Sequence, residues 1–286
     1  MVEVFVGSEA LARGGLTRGR LRWNYTQILP DVYVPKHADP TLRTRTVGAW
    51  LWSGRRFVIA GRAAAALHGA AWVDATTPIE LIGRCARPPS GVVVRNERID
   101  ADEIVDIGGI LATSVPRTAL DLGRHLVRDE AVRNLDALAH ATGVHAADAL
   151  SLASRRPGAR GLRRAARALH LMDAGGQSPK ETWLRLLLID AGFPRPRTQI
   201  RLSHDGFAAF IDMGWDDAMI GVDYDGERHL TDRRRYVHDI GRNEFIARRG
   251  WLNLHVVAEH SRAFIVHRVR EAFTGRGWTP RLQSGS

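Results

Sequence analysis

Four carboxylate residues in the last third of the chain have types and spacing that suit a divalent cation: Glu181, Asp212, Asp223 and Asp225. Asp212 interrupts an otherwise apolar run, and Asp223 and Asp225 alternate with apolar residues in the next one. Because side chains alternate between the two faces of a strand, Asp223 and Asp225 share a face. Carboxylate oxygens are the ligands that Mg²⁺ prefers, and a bound Mg²⁺ activates water for hydrolysis.

The turn between the two acidic runs predicts how Asp212 and Asp223 approach each other. If Gly214 pairs with Met219 around a four-residue turn, Asp212 lies opposite Gly221. Asp223 is then the diagonal neighbour of Asp212 on the same face, about 7–8 Å away between α-carbons. Two carboxylates placed in this way can share one divalent cation.

The residues leave alternatives to a metal site open. Arg228 and Arg242 could neutralise the aspartates in a structural ion-pair network, since carboxylates held together need a cation of some kind. Ser178 and Glu181 also have the spacing of a capping box, in which the glutamate accepts a hydrogen bond from the cap's backbone N–H. A metal-binding role for Glu181 requires that this helix terminus face the strand aspartates.

The elements around these acids predict an α+β domain at residues 178–275. A helix opens at Ser178-Pro179 and ends at Gly192, and a final helix covers 261–273. Between them the pattern predicts strands at 198–203, 207–214, 219–225 and 252–257, with a long arginine-rich helix at 231–249 before the last strand. The predicted order is αβββαβ with one helix added.

The first 36 residues predict a small module of two helices and a hairpin. Ser8 is expected to cap a helix that ends near Gly14, and Thr17 a second helix that carries three arginines, Arg18, Arg20 and Arg22. Residues 25–34 then alternate like a hairpin. This is the order of a winged helix-turn-helix, whose second helix would contact phosphates or base edges of DNA.

Residues 37–175 predict a mixed α/β middle region that ends at Gly175-Gly176. Strand-like pieces lie at 56–60, 79–82 and 91–95, and helices are predicted at 63–67, 117–126, 129–141, 146–154 and 162–172. The last of these helices has an apolar stripe that leaves Arg163, Arg164 and Arg167 largely outside it. These arginines form either a solvated face or a contact with the DNA backbone.

The composition narrows the class of partner. The 286 residues carry a net charge of +10 with a pI near 10.9, which suggests a polyanion such as nucleic acid. The positive charge is nearly all arginine, with Lys36 and Lys180 the only lysines. The single cysteine, Cys85, excludes a disulfide framework and a thiolate zinc site. There is no apolar run of about 20 residues and no signal-peptide pattern, so we expect a cytoplasmic protein without a membrane partner.

These residues carry a resemblance to two families. Residues 178–257 resemble the Vsr-related branch of the PD-(D/E)xK nucleases, whereas the region before them is similar to AbiEi-type antitoxins, which have a DNA-binding winged helix. The Vsr-like segments are Ser178-Pro179-x-Glu181, Ala191-Gly192-Phe193-Pro194, Ile211-Asp212-x2-Trp215, Val222-Asp223-Tyr224-Asp225-Gly226-x2-His229 and Asp239-x2-Arg242-x7-Gly250-Trp251. The AbiEi-like ones are Leu16-Thr17-x3-Leu21, Asp31-Val32-Tyr33-Val34 and Ala63-Ala64-Ala65-x-Leu67-His68-Gly69.

The nuclease resemblance implies a role for each acid. Asp212 would be the central ligand of Mg²⁺ or Mn²⁺, Asp223 the second ligand with Asp225 beside it, and Glu181 the helix-borne acid. The superfamily's lysine position is occupied by Asp225. Vsr-like enzymes also lack that lysine and use histidine, so the acid/base candidates are His229 and His238.

The resemblance therefore implies a restriction-endonuclease-like core and a metal-dependent DNA endonuclease that acts in DNA repair or defence. Magnesium would polarise the scissile phosphate, and Arg228 and Arg242 would stabilise the charge that develops on it. The alternative function is a non-catalytic DNA-binding antitoxin or transcriptional regulator on a nuclease-like fold. Both functions imply DNA as a partner. The two resemblances also imply a protein partner, which is a second copy of the chain in a homodimer or a toxin protein.

Overall fold

The computed structural model describes residues 3–226 and 233–278, with only the backbone described for 233–238. The chain forms two compact units, Met1–Ala174 and Gly175–Ser286, which divide at the predicted Gly175-Gly176 boundary. Arg228 and His229 lie outside the described residues, as does the side chain of His238. No helix in the described parts of the chain combines the length and apolar character needed to cross a membrane.

The first unit begins with a small three-stranded antiparallel sheet and two short helices. Its elements are β1 (Phe5–Val6), α1 (Gly7–Ala12), α2 (Arg18–Asn24), β2 (Tyr25–Leu29) and β3 (Val32–Pro35), with sheet order β1-β3-β2. Thr17 caps α2 as predicted, because its hydroxyl accepts a hydrogen bond from Arg20 N at 3.2 Å. The prediction for Ser8 is wrong, since Val6 is the N-cap of α1. Ser8 instead donates from its backbone N and its hydroxyl to the Asp31 carboxylate in the hairpin turn.

A five-stranded mixed sheet follows in the same unit. Its elements are α3 (Leu42–Trp52), β4 (Val58–Ala60), α4 (Gly61–Leu67), β5 (Ile79–Ile82), β6 (Val92–Arg95), β7 (Ile104–Asp106) and β8 (Leu111–Thr113), with sheet order β6-β5-β4-β8-β7. Gly48 of α3 packs so closely on Ile28 that a Cβ there would lie 2.9 Å from Ile28 Cδ1. Residues from the predicted segments 1–36 and 37–175 thus pack together in one compact unit.

Four helices complete the first unit: α5 (Val115–His125), α6 (Arg128–Thr142), α7 (Ala146–Ser154) and α8 (Leu162–Leu171). On α8 the apolar stripe is buried at Ala165, Ala168 and Leu169. Arg163, Arg164 and Arg167 are exposed, as the stripe predicts.

Helices α5 and α8 cross at Gly123. A Cβ on Gly123 would lie 2.9 Å from the Cα of Ala165, a backbone atom that a side-chain rotation cannot move. We expect Gly123→Ala to lower the free energy of unfolding by about 1–3 kcal/mol, measured by urea denaturation. Gly19→Ala in α2 is the control, because its Cβ would meet nothing nearer than 3.9 Å. Equal unfolding midpoints for Gly123→Ala and the unaltered chain would contradict the close crossing.

The second unit contains the predicted αβββαβ order followed by one helix. Its elements are α9 (Pro179–Asp190), β9 (Arg197–His204), β10 (Phe207–Trp215), β11 (Ile220–Tyr224), α10 (Arg233–Arg248), β12 (Leu252–Val256) and α11 (Arg262–Gly275). The sheet order is β12-β11-β10-β9, with β9, β10 and β11 antiparallel and β11 parallel to β12. Asp212 and Asp223 therefore lie on the two central strands, β10 and β11, whereas Asp225 follows β11 and Glu181 lies on α9.

Two apolar clusters cover this sheet. One includes Leu184, Met213, Val222 and Phe273, and the other includes Ile211, Ile246 and Trp251. Together they bury most of β11 and of the second half of β10, so a charged side chain held among these residues needs partners within the unit.

Candidate functional site

The β10–β11 hairpin places Asp212 and Asp223 directly across from each other. Gly214 pairs with Gly221 and Met213 with Val222, so the next opposing positions are those of the two aspartates. The predicted pairing of Gly214 with Met219, which made the aspartates diagonal neighbours, is wrong. Met219 adopts a φ of 50° and donates its N–H to Asp216 O at 3.1 Å, so it closes the turn instead of starting the strand.

Each aspartate holds the backbone of the opposite strand. Asp223 Oδ1 accepts a hydrogen bond from Asp212 N at 2.8 Å, and Asp212 Oδ2 accepts one from Tyr224 N at 2.8 Å. The two carboxylates thus take the place of peptide carbonyls at the point where the regular ladder ends. Their positions are fixed by backbone atoms as well as by side-chain packing.

Asp223 is almost fully buried and is neutralised by an arginine. Its Oδ2 accepts from Arg242 Nη2 at 2.6 Å and from Asn253 Nδ2 at 2.7 Å. Arg242 Nη2 also donates to Phe210 O at 2.5 Å. The ion pair that the sequence offered as an alternative is therefore present for Arg242 and Asp223. Both oxygens of Asp223 accept hydrogen bonds, and the Arg242 guanidinium donates to two groups of the sheet, Asp223 Oδ2 and Phe210 O.

Glu181 has a capping role and also faces the aspartates. Glu181 N donates to Ser178 Oγ at 3.1 Å, as a capping box requires. Its own Oε2 accepts from Gln177 N at 3.0 Å, one residue before the amide that the capping box predicts. The Glu181 carboxylate lies close enough to Asp212 to raise the pKa of that aspartate. The helix terminus therefore lies near Asp212, although the ligand atoms of Glu181, Asp212 and Asp223 do not all lie within 4.8 Å of one another.

Burial and two neighbouring carboxylates raise the pKa of Asp212 to about 7. Burial is the largest cause, the negative charges of Asp223 and Glu181 add to it, and the Tyr224 N–H and Arg242 oppose it. Three carboxylates thus face one described guanidinium at this point of the sheet. Asp212 gains its proton near neutral pH mainly because its carboxylate is partly buried, and the excess of negative charge over Arg242 adds to this effect.

The raised pKa of Asp212 predicts how the stability of the unit depends on pH. The folded chain binds this proton more tightly than the unfolded chain, so the free energy of unfolding falls as pH rises from about 4 to about 7. In EDTA, we expect Asp212→Asn to be more stable than the unaltered chain by on the order of 2 kcal/mol near pH 8, and nearly equal to it near pH 4. Urea denaturation at the two pH values measures this, and a difference independent of pH would exclude the titration of Asp212 as its cause.

Asp225 is paired with a histidine that the sequence analysis did not identify. His255 Nδ1 lies 2.9 Å from Asp225 Oδ2, and this hydrogen bond raises the pKa of His255. His255 lies on β12, where its backbone is in register with Asp223. Only the parallel pairing of β11 and β12 brings the two residues together, and a parallel register has no local sequence signal.

Among the described side chains, one group of three acidic or histidine residues has ligand atoms all within 4.8 Å of one another: Glu97, Asp121 and His125. This group lies in the first unit and is already balanced by arginines. Arg124 Nη1 lies 2.7 Å from Glu97 Oε2 and 3.2 Å from Asp121 Oδ1, and Arg117 Nε lies 2.9 Å from Asp121 Oδ2. We interpret it as an ion-pair network and not as a metal site.

The acids of the second unit suit a divalent cation in part. Among the described residues, Tyr224 N donates to Asp212 Oδ2 and Gln177 N donates to Glu181 Oε2. The other oxygen of each carboxylate accepts no hydrogen bond from a described residue. The remaining oxygen of each of these two carboxylates is of the chemical type that a hard cation prefers. Asp223 does not fit as a ligand in the observed arrangement, because direct coordination would displace Arg242 or Asn253.

The predicted basic surfaces of the first unit are exposed. Arg18, Arg20 and Arg22 lie on the outside of α2 next to Trp23, which is 75% exposed. On α8, Arg163 and Arg167 face solvent, and Arg164 donates to the backbone carbonyl of Arg124. These surfaces are accessible to a polyanion.

Comparison with known proteins gives relatives whose function is not established. Two uncharacterised proteins, from the CDC 1551 and H37Rv strains of Mycobacterium tuberculosis, are each 26% identical to this chain over 227 residues. The match covers 78% of this chain and 83% of each relative. No protein-family model matches the chain, and no solved structure matches it.

Proposed function

We propose that this chain is a divalent-metal-dependent DNA endonuclease with its active site at Asp212. The observation that carries the proposal is the partly buried Asp212 carboxylate, whose pKa is raised to about 7 by burial and by Asp223 and Glu181. Carboxylates held together in this way are characteristic of sites that recruit a cation. At position 212 a structural role alone would be served better by asparagine, which accepts the same hydrogen bond from Tyr224 N without a negative charge.

The proposed roles follow from the hydrogen bonds at the site. Asp212 and Glu181 would hold the cation through their remaining oxygens, and Asp223 positions the backbone of Asp212. When bound, Mg²⁺ or Mn²⁺ would supply a water of lowered pKa and polarise the phosphate. His255, which Asp225 orients through Nδ1, is the described histidine suited to move a proton.

The fold and the charge support DNA as the substrate. Acids on the two central strands of an αβββαβ unit are the arrangement that the resemblance to Vsr-like nucleases implies. The net charge of +10 and the exposed arginines of α2 and α8 suit a polyanionic duplex.

Cleavage of supercoiled plasmid by the purified chain tests the proposal. We expect nicked or linear product with Mg²⁺ or Mn²⁺ and none with EDTA. A metal titration followed by tryptophan fluorescence runs alongside, because Trp183 packs against Tyr224 at the site. Failure to cleave plasmid in either metal, together with no metal-dependent fluorescence change, would reject the endonuclease.

A second candidate function is a non-catalytic DNA binder, such as an antitoxin or transcriptional regulator. The observation that favours it is the saturation of Asp223 by Arg242 and Asn253, which completes an ion pair without any cation. The winged-helix-like order of the N-terminal sheet, with α1 and α2 between β1 and β2, also supports it. This function predicts a gel shift that is the same in Mg²⁺ and in EDTA, without cleavage.

A further inference from the structure

A ladder of cations and aromatic rings lies beside Asp212 in the second unit. Trp183 of α9 and Tyr224 of β11 pack edge to face, with ring centroids 6.4 Å apart. The Lys180 ammonium lies 5.9 Å from the Tyr224 ring centroid, and the Arg262 guanidinium carbon lies 5.9 Å from the Trp183 centroid. Each ring thus holds one cation by attraction to its face.

This ladder is joined to the acidic site by one hydrogen bond. Tyr224, which holds Lys180, donates its backbone N–H to Asp212 Oδ2 at 2.8 Å. Lys180 also directly precedes Glu181 in the first turn of α9. Lys180 is therefore linked to the acids through Glu181 and Tyr224, and Arg262 is linked to them through the contact of Trp183 with Tyr224.

The charges of Lys180 and Arg262 are available to a partner. Both side chains are exposed, and neither forms an ion pair within 4.0 Å with any residue that the structure describes. By contrast, three arginines of the first unit form ion pairs with carboxylates: Arg117, Arg124 and Arg156. Unpaired cations held against rings keep their orientation without losing their charge.

The stability of helix α9 does not explain the lysine. A cation in the first turn of a helix is opposed by the helix dipole, which favours acidic groups there. Lys180 is one of two lysines in a chain with 41 lysines and arginines. Its position instead fits an anion that approaches Asp212 from the side of α9 and α11.

We infer that Lys180 and Arg262 form a phosphate clamp that positions the DNA strand entering the Asp212 site. The inference rests on the proposed function, and it adds the position of the substrate's phosphate backbone next to the Asp212 site. The two residues are positioning residues: they bind phosphates next to the reacting one, and the aromatic pair fixes the distance between them. Since each cation releases counterions when it meets a phosphate, their contribution depends on salt.

Anisotropy of a short fluorescent DNA duplex, measured in EDTA over a range of salt concentrations, tests the clamp. We expect the double variant Lys180→Gln, Arg262→Gln to bind about tenfold more weakly and to lower the slope of log affinity against log salt by about 2. The charge-keeping double variant Lys180→Arg, Arg262→Lys should retain most of the affinity and the slope. Arg270→Gln, which removes an exposed arginine elsewhere on α11, is the matched control and should change affinity less than about twofold.

The same variants in the plasmid assay separate the clamp from the proposed function. A clamp predicts a raised KM with kcat nearly unchanged. If the unaltered chain cleaves plasmid but the glutamine double variant binds the duplex with unaltered affinity and slope, the clamp is wrong and the endonuclease stands. If the unaltered chain does not cleave and the double variant still loses affinity and slope, the clamp is supported and the endonuclease fails. No binding of the duplex by the unaltered chain would overturn the clamp.

Discussion

Asp212→Asn is expected to lower the rate of Mg²⁺-dependent plasmid nicking by at least about a hundredfold, a loss of roughly 3 kcal/mol of transition-state stabilisation. The amide oxygen of asparagine can still accept the hydrogen bond from Tyr224 N, so the β10–β11 connection is kept. The variant removes the negative charge that the proposed cation needs. Initial rates of conversion from supercoiled to nicked plasmid measure the effect.

The control for this prediction lies at the other end of the same hairpin. Asp217→Asn removes an exposed carboxylate in the turn and should leave the nicking rate within about twofold of the unaltered chain, as a surface substitution away from the site. Nicking by Asp212→Asn at the unaltered rate would place any cleavage elsewhere in the chain. An inactive variant that is also more stable near pH 8 would show that Asp212 is kept for chemistry at a cost to the fold.

The second large effect concerns stability and involves a buried arginine. Arg117 is fully buried on α5, with Nη1 2.6 Å from Glu103 Oε2 and Nε 2.9 Å from Asp121 Oδ2. We expect Arg117→Met to lower the free energy of unfolding by about 3–5 kcal/mol, because it removes the one cation that both buried carboxylates share and leaves only Arg156 beside Glu103 and Arg124 beside Asp121. Urea denaturation monitored by tryptophan fluorescence measures it.

Arg155→Met is the matched control within the same network. Arg155 lies 2.6 Å from Asp102 Oδ2, but both side chains are substantially exposed. Water screens this pair, so the variant should cost no more than about 1 kcal/mol. If the two substitutions lowered the free energy of unfolding by equally small amounts, the buried carboxylates would have to be protonated or neutralised by other cations.

Much of the fold follows from local sequence signals. The helix at Ala146–Ser154 has the predicted bounds, and Thr17, Ser178 and Ser261 each cap the helix that follows, because capping depends only on residues within one turn. The hairpin β7–β8 was not predicted. Its strands have three residues each and are stabilised by pairing within the larger sheet, which no local pattern reveals.

The candidate site was predictable in its composition and less so in its geometry. The acidic residues stood out because charges are rare on apolar strands. The register of Asp212 and Asp223 depended on the left-handed conformation of Met219, which a side chain of this type seldom adopts. The partners Asn253 and His255 come from β12, a strand brought alongside by a crossover, so only the tertiary structure identifies them.

The reciprocal hydrogen bonds of Asp212 and Asp223 have a consequence for the evolution of this chain. Since each carboxylate stands in for a peptide carbonyl of the sheet, selection for folding alone would preserve a hydrogen-bond acceptor at both positions, and it would keep Asp223 paired with Arg242. A descendant that gave up cleavage could replace Asp212 with asparagine, and selection would no longer act on exposed Lys180 and Arg262. The surface cations and the charge at position 212, and not Asp223, would then be the first to record a change of function.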